Sequence, residues 1–258
     1  MNDIKKYIRF KLPENNSPKY GVLENRTVTT LAKAPWIEEI TINSKFDINE
    51  IIQLSPVEPS KIICIGLNYH AHVQASYSAD EAPPNPLLFL KPPSSIIGNG
   101  DNIIHPKQSE RVDYEAELGV VIGKTAKDVS EQDAENHIFG FTCVNDVTAR
   151  DLQKSDKQWS RAKGFDTFCP TGPHIVKNIN YEDILIEGIV NGEVLQSGRT
   201  SQMIFKIPFL IAYISSVMTL LPGDLISTGT PAKIAPMKPG DEIEVRIENV
   251  GTLKNKMS

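Results

Sequence analysis

The sequence predicts an α+β protein that is mostly β-structure. Residues 111–123 (RVDYEAELGVVIG) and 242–248 (EIEVRIE) alternate apolar and polar side chains with the period of a strand. Asn191-Gly192 joins two further apolar segments, and this dipeptide is a strong signal for a β-hairpin. One clear helix stands against these strands, the apolar segment 209–220, which begins near Pro208.

Composition is that of an ordinary globular protein. The chain has 258 residues, of which 40% are hydrophobic and 23% charged, enough for one large domain or a large and a small one. A net charge of −5 without a basic cluster argues against a nucleic-acid surface. The most apolar run, 207–221, is too short to cross a bilayer, and the N-terminus does not resemble a signal peptide. Three cysteines without a CxxC pair indicate buried, reduced thiols and a cytoplasmic protein.

The first 57 residues are expected to form a small β-rich domain. Short β-prone pieces are separated there by turn residues, and a Pro-rich joint at 55–60 marks the boundary. Residues 58–258 then form the second domain, which carries the candidate chemistry. The predicted elements of the first domain are strands over 7–12, 20–23, 27–31 and 39–42 and a short helix over 48–54.

In the second domain, several predicted strands end in polar side chains. His72 follows the first of them and is a candidate base, although a single histidine is more often a surface or structural residue. Residues 73–85 are small, polar and bounded by prolines, which favours a mobile segment that covers a site. The strands predicted between residues 61 and 147 are 61–65, 86–91, 111–123 and 139–144. Helical character is predicted over 127–137, and a helix is predicted to begin at about Val147.

The remaining third of the chain predicts an irregular loop, then a hairpin, a buried helix and short strands. The loop, 159–173, is dense in glycine, proline and aromatic residues and contains Lys163. A solvated lysine is the usual case, but so rigid a loop would hold its side chains in place. The later predicted elements are the hairpin 184–195, the helix 209–220, strands over 225–227 and 242–248, a polar loop at 228–231 and an edge strand over 250–253.

Acidic residues in strand 111–123 are the first indication of chemistry. Strand alternation puts Glu115 and Glu117 on one side, with Cα atoms roughly 6.8 Å apart. Two carboxylates that close repel each other unless a cation lies between them, and a divalent cation with oxygen ligands would serve. A solvated polar strand face is the alternative. Asp146, Arg150 and Gln153 lie at helical spacing, which fits either a structural Asp–Arg pair or a metal ligand beside residues that bind an anion.

Taken together, these segments resemble the fumarylacetoacetate hydrolase family over about residues 60 to 254. A single ExE pair would be weak evidence for this family, but an ordered set of motifs is specific evidence. The motifs that carry the resemblance are GLNYHAH (66–72), LLFLKPPSSIIG (87–98), VDYEAELGVVIG (112–123), NDVTARD (145–151), RAKGFDTFCPTGP (161–173) and LPGDLISTGTP (221–231).

The resemblance implies mixed, mostly β sheets forming a β-roll or sandwich with few helices, and usually a homodimer. His72 matches a base carried on a segment that closes over the site. In many members that use a general base, a glutamate follows this histidine three residues later, but here that position is Ala75. The implied metal ligands are Glu115, Glu117 and Asp146, and the implied substrate-binding residues are Arg150, Gln153, Lys163 and Thr230, with Lys163 also counted as catalytic.

Three carboxylates without cysteine or paired histidine favour a hard cation, Mg²⁺ or Mn²⁺. A 2-oxo acid would chelate it, and cleavage of a C–C bond next to a carbonyl would leave a metal-held enolate. Hydrolysis of an acylpyruvate-type diketo acid, with His72 activating water, is the first hypothesis. Decarboxylation of an oxaloacetate-type acid and isomerisation of an oxo-diacid are alternatives on the same site. An inactive metal-binding scaffold is the alternative of another class.

Overall fold

The computed structural model describes residues 4–75 and 81–258, and most of these lie in or between β-strands. The strands of the first half are β1 (Lys5–Leu12), β2 (Asn15–Glu24), β3 (Thr27–Leu31), β4 (Thr41–Asp47), β5 (Ile52–Leu54), β6 (Ile62–Gly66), β7 (Leu87–Lys91), β8 (Ile96–Ile97), β9 (Asn102–Ile103), β10 (Val112–Tyr114) and β11 (Ala116–Ile122). The strands of the second half are β12 (Ile138–Asn145), β13 (Thr148–Ala149), β14 (Cys169–Lys177), β15 (Leu185–Val190), β16 (Glu193–Arg199), β17 (Leu225–Ser227), β18 (Ala235–Met237), β19 (Glu242–Ile247) and β20 (Gly251–Met257).

Helices are few, as the sequence predicted. The longest begins beside Pro208 and buries an apolar stripe that includes Leu210, Ile211 and Ile214. The α-helices are α1 (His70–Ala75), α2 (Arg150–Asp156), α3 (Ser160–Lys163) and α4 (Ile207–Val217), and the 3₁₀ turns are Ile48–Glu50, Pro93–Ser95, Ala134–His137 and Thr200–Gln202. None of the helices in the described ranges is long and apolar enough to span a membrane.

Mixed sheets make up the fold, and the predicted fold class is confirmed. The largest sheet has the order β4-β3-β2-β1-β14-β12-β11-β17-β6-β7, with β5 beside β1 and β8 beside β14. A five-stranded sheet, β16-β15-β19-β20-β9, packs against it. A three-stranded sheet, β13-β10-β18, shares an apolar core with the five-stranded sheet. The first strands continue the large sheet through antiparallel pairing of β1 with β14. The division near residue 57 stays a prediction.

Strand β11 lies between two apolar cores, and this explains why both of its faces are buried. Leu118 and Val120 pack into the core shared with α4 and the five-stranded sheet. Val121 points the other way, into a core that contains Tyr7 and Cys64. The polar face that alternation predicted for this segment is therefore enclosed, so its acidic residues need partners.

Several local predictions were wrong where long-range pairing overrides local preference. Residues 127–137 form only a short 3₁₀ turn, and residues 52–54 form β5 instead of helix. The helix expected from Val147 begins at Arg150, because residues 148–149 pair with β10 instead. The loop 159–173 contains α3 and the start of β14. The last strand, β20, is not an edge, since it lies between β19 and β9.

His174 on β14 is a buried histidine whose ionisation is linked to folding. Burial lowers its pKa to about 4, and its Nε2 donates to the carbonyl oxygen of Val250 at 2.7 Å. An unfolded chain binds this proton near pH 6.5, so stability should fall as the pH drops from about 6.5 to 4. Protonation of His174 alone should lower the free energy of unfolding by an amount on the order of 3 kcal/mol over this pH range. In urea unfolding at pH 7.5 and 4.5, His174→Gln should lose correspondingly less stability on acidification than the wild type. Equal losses in the two proteins would contradict this assignment.

Candidate active site

Three buried carboxylates meet where the large sheet adjoins the three-stranded sheet. Glu117 lies on β11, Asp146 directly follows β12, and Glu115 lies in a one-residue break between β10 and β11. One oxygen from each carboxylate lies within 4.8 Å of the others, and all three side chains are buried. The predicted strand 111–123 is thus interrupted, but the interruption still brings Glu115 and Glu117 together.

Glu117 is held by hydrogen bonds from the last residue of β17 and from the loop that follows it. Its Oε2 accepts from Ser227 Oγ at 2.5 Å and from the Gly229 N–H at 2.9 Å. Gly229 has φ +97°, and a Cβ there would lie 2.7 Å from the Asn68 side chain, so the close approach requires glycine. Burial, followed by the charges of Asp146 and Glu115, raises the pKa of Glu117 to about 8. This carboxylate therefore lacks sufficient positive charge from the protein itself.

Glu115 and Asp146 share a lysine. Lys163 Nζ lies 3.0 Å from Glu115 Oε2 and 2.5 Å from Asp146 Oδ2. Arg150 Nη2 also contacts Glu115. Burial alone would raise the pKa of Glu115, but the charges of Lys163 and Arg150 outweigh it and hold that pKa well below its usual range. Burial likewise opposes the charge of Lys163, yet Asp146 and Glu115 raise its pKa, so it stays a cation.

A second lysine, Lys91, was missed by the sequence analysis. It ends β7 fully buried, and its Nζ donates to the carbonyl oxygens of Val147 (3.0 Å) and Lys163 (2.7 Å). The same Nζ lies 2.6 Å from Asp146 Oδ1, which is close enough for an ion pair. That contact is poorly directed, and Asp146 Oδ1 has no hydrogen bond within the described residues. A lysine at the end of an otherwise apolar strand was the available signal.

Arg150 is the first residue of α2, and its guanidinium is hydrogen-bonded to other side chains besides Glu115. Its Nε donates to Asp113 Oδ2 at 2.8 Å, and its Nη1 donates to Gln153 Oε1 at 2.5 Å. Asp113 is completely buried and also binds Arg111, so it ties two arginines together. Asp113, another residue that the sequence analysis missed, thereby fixes the orientation of the Arg150 guanidinium.

His72 lies on the short helix α1, where it is only 7% exposed. Burial lowers its pKa; the charge of Glu115 opposes this shift, and the charges of Arg150 and Lys163 add to it. His72 is therefore neutral near pH 7 and able to accept a proton. The proposed covering segment, 73–85, includes residues 76–80, which lie outside the described residues.

The side chains singled out from the sequence all line one cavity of about 740 Å³. Leu87, Phe89 and Trp159 form an apolar part of its wall. The predicted residues along it are His72, Glu115, Glu117, Asp146, Arg150, Gln153, Lys163 and Thr230. Acid, base and cationic groups therefore share one cavity, which is the arrangement expected of an enzyme site.

The donor set fits a hard divalent cation. Two oxygens that bind the same Mg²⁺ or Ca²⁺ can be at most about 4 to 5 Å apart. One oxygen from each of the three carboxylates lies within 4.8 Å of the others, so the set meets this limit. Asp146 Oδ1 still lacks a directed hydrogen bond among the described residues, and the raised pKa of Glu117 indicates unmet demand for positive charge. Glu115, Glu117 and Asp146 are the residues that would hold such an ion.

The family model described as "Fumarylacetoacetate (FAA) hydrolase C-terminal" matches residues 61–258. The chain belongs to the fumarylacetoacetate hydrolase family. This match confirms the resemblance stated from the sequence motifs. Members of the family include hydrolases, isomerases and tautomerases.

Among its relatives in the fumarylacetoacetate hydrolase family, oxaloacetate tautomerase YisK of Bacillus subtilis is 42% identical over 225 residues, covering 82% of this chain and 75% of that protein. The structure of 2-hydroxyhepta-2,4-diene-1,7-dioate isomerase from Mycobacterium marinum matches with a TM-score of 0.90 at 39% identity, covering 98% of each chain. Maleylpyruvate hydrolase from Sphingobium sp. SYK-6, solved with manganese(II) and pyruvate, matches with a TM-score of 0.81 at 27% identity, covering 98% of each chain.

Proposed function

We propose that this protein is a divalent-metal-dependent enzyme that enolises a chelating 2-oxo acid, and that its reaction is the keto–enol tautomerisation of an oxaloacetate-type diacid. The observation that carries the proposal is the cavity that the three clustered carboxylates share with the neutral His72 and with the cationic Arg150 and Lys163. Mg²⁺ or Mn²⁺ held by Glu115, Glu117 and Asp146 would supply Lewis-acid stabilisation of the negative charge that develops on the keto oxygen.

Arg150 would bind and orient a substrate carboxylate. A guanidinium has five N–H groups, and three of these are directed at Asp113, Gln153 and Glu115. One N–H therefore remains on each terminal nitrogen to donate to a substrate carboxylate. Lys163 would offset the added negative charge from the opposite side of Glu115.

His72 would move the proton. In tautomerisation, a proton leaves the carbon next to the keto group and another is placed on the keto oxygen, so atoms balance without a further reactant. A neutral histidine can take the carbon-bound proton and return it in the reverse reaction. Burial favours the neutral form of His72 by lowering its pKa.

Tautomerisation ranks ahead of acylpyruvate hydrolysis for two reasons. Two relatives of 42% and 43% identity carry the name oxaloacetate tautomerase, whereas two solved structures named as hydrolases match at 34% and 27% identity. Ala75 supplies no carboxylate three residues after His72 to orient it as a water-activating base. Hydrolysis stays the second candidate because His72 itself is present in the cavity. Decarboxylation is a third outcome, which needs no activated water.

A paired assay tests the proposal against the inactive-scaffold alternative. Oxaloacetate keto–enol interconversion and acetylpyruvate cleavage are followed with Mg²⁺, with Mn²⁺ and with EDTA, and metal without protein gives the background. We expect EDTA-sensitive acceleration of oxaloacetate tautomerisation above that background. Binding of Mn²⁺ without turnover of any 2-oxo acid would favour the scaffold. Turnover of acetylpyruvate alone would favour the hydrolase.

His72→Ala is expected to slow tautomerisation by roughly 10²- to 10⁴-fold, because a positioned proton carrier is lost. It should slow hydrolysis much more than decarboxylation, since only hydrolysis needs an activated water. His70→Ala is the matched control, because His70 lies exposed on the same helix. The acid limb of the wild-type rate should lie below pH 6.5, in keeping with the lowered pKa of His72. An unchanged rate in His72→Ala would exclude His72 as the proton carrier.

A further inference from the structure

The chain interruption at Glu115 leaves two consecutive backbone N–H groups to be satisfied by side chains. β10 pairs with β13 and β18, whereas β11 pairs with β12 and β17, so Glu115 lies at the change from one sheet to another. The Glu115 N–H donates to Asn145 Oδ1 at 3.0 Å, and the Ala116 N–H donates to Gln196 Oε1 at 3.0 Å. Both carboxamides are almost completely buried.

Gln196 closes a ring of hydrogen bonds around Ala116. Its Nε2 donates to Thr230 Oγ1 at 2.8 Å and to the Pro231 carbonyl oxygen at 2.7 Å. Thr230 Oγ1 in turn donates to the Ala116 carbonyl oxygen at 2.9 Å. One carboxamide thus connects the backbone between Glu115 and Glu117 to the loop that carries Thr230.

The neighbouring strand is shaped to admit this side chain. Gly188 on β15 lies directly opposite Gln196 on β16. A Cβ at Gly188 would lie 2.3 Å from the Tyr114 ring and 2.9 Å from Gln196 Oε1. Any side chain at position 188 would therefore displace Gln196 from its hydrogen bonds.

We infer that Gln196 is a positioning residue, which holds the Glu115–Glu117 pair and the Thr230 loop in one fixed arrangement. The inference rests on the proposed function, since it concerns the metal ligands and a substrate-binding loop. Gln196 does not line the cavity, so it acts through Ala116 and Thr230. The same ring of hydrogen bonds also limits what the Thr230 hydroxyl can bind. The only hydroxyl hydrogen of Thr230 is already donated to Ala116, so Thr230 Oγ1 does not donate to a substrate carboxylate in this arrangement.

The test compares Gln196→Met with Asn255→Leu by calorimetric titration of the full-length protein with Mn²⁺. Asn255 is a matched control, because it is a buried carboxamide that donates to the carbonyl oxygens of Gly98 and Asp101, and none of these residues lines the cavity. Gln196→Met should weaken Mn²⁺ binding by about tenfold or more, while Asn255→Leu leaves it unchanged at a similar cost in melting temperature. KM for oxaloacetate should rise in the Gln196 variant alone.

A second variant covers the case in which Gln196→Met does not fold. Gln196→Glu keeps an acceptor for the Ala116 N–H but removes the donors to Thr230 and Pro231, and it should also weaken Mn²⁺ binding. An affinity within twofold of wild type in a folded Gln196 variant would overturn the inference alone. Absence of Mn²⁺ binding by the wild-type protein would overturn the proposed function and this inference together.

Discussion

Glu117→Gln is expected to reduce metal-dependent turnover by at least about 10³-fold while the protein stays folded. The substitution removes one of three anionic ligands and keeps an acceptor oxygen for Ser227 and Gly229, which bind Glu117 Oε2. Turnover of oxaloacetate with Mn²⁺ and calorimetric Mn²⁺ titration are the measurements. Glu187→Gln is the control, because Glu187 pairs with Arg246 outside the cavity. Wild-type rates in Glu117→Gln would refute the ligand set.

The same variant has a stability signature. Burial and two neighbouring carboxylates raise the pKa of Glu117 to about 8, so the folded, EDTA-treated protein disfavours its charged form. The contribution of Glu117 to wild-type stability should therefore fall as the pH rises from about 4.5 through 8, and the Glu117→Gln substitution should remove that contribution. Urea unfolding of EDTA-treated Glu117→Gln at pH 8 should give a stability at least equal to that of wild type. A lower value would mean that Glu117 is well compensated without a cation.

Asp224→Ala is expected to destabilise the protein by about 2 to 3 kcal/mol. Asp224 is fully buried in the turn before β17, and its Oδ2 lies 2.5 Å from Lys61 Nζ. It also accepts from the Ser60 hydroxyl at 2.6 Å and from the Leu221 N–H at 2.8 Å. Removing the carboxylate leaves several partly buried donors, including the Lys61 ammonium, without their acceptor, and each costs free energy.

Lys61→Met is the matched control for Asp224→Ala. The Lys61 side chain is 22% exposed, and Asp224 would keep its backbone and serine donors without it. Urea unfolding at pH 7 should therefore show a much smaller loss for Lys61→Met than for Asp224→Ala. A loss below about 1 kcal/mol in Asp224→Ala would contradict the view that this carboxylate joins residues 60–61 to the β17 turn.

Local sequence patterns predicted most strands, the buried helix and the residues around the cavity, but not the interruption at Glu115. Alternation over 111–123 is correct for the residues on each side of the break. The break depends on Asn145 and Gln196, which are 30 and 80 residues away in the chain. A side-chain hydrogen bond over such a separation leaves no trace in a local pattern.

Charged residues were predicted less well when their role depends on burial. Glu115, Glu117 and Asp146 were named from spacing and from the motifs of the family, and one oxygen from each lies within 4.8 Å of the others. Lys91 was missed because the three oxygens that surround its buried ammonium belong to residues 55 or more positions away in the chain. The assigned roles of the cavity residues, the cytoplasmic location and the homodimer stay predictions.

The most direct test is the crystal structure of the protein grown with Mn²⁺ and oxalate, in which anomalous scattering locates the metal. We expect a single strong peak about 2 Å from carboxylate oxygens of Glu115, Glu117 and Asp146, with oxalate chelating its open side within reach of Arg150. A manganese peak elsewhere, with these three carboxylates bound only by Lys163, Lys91 and Arg150, would contradict the central claim.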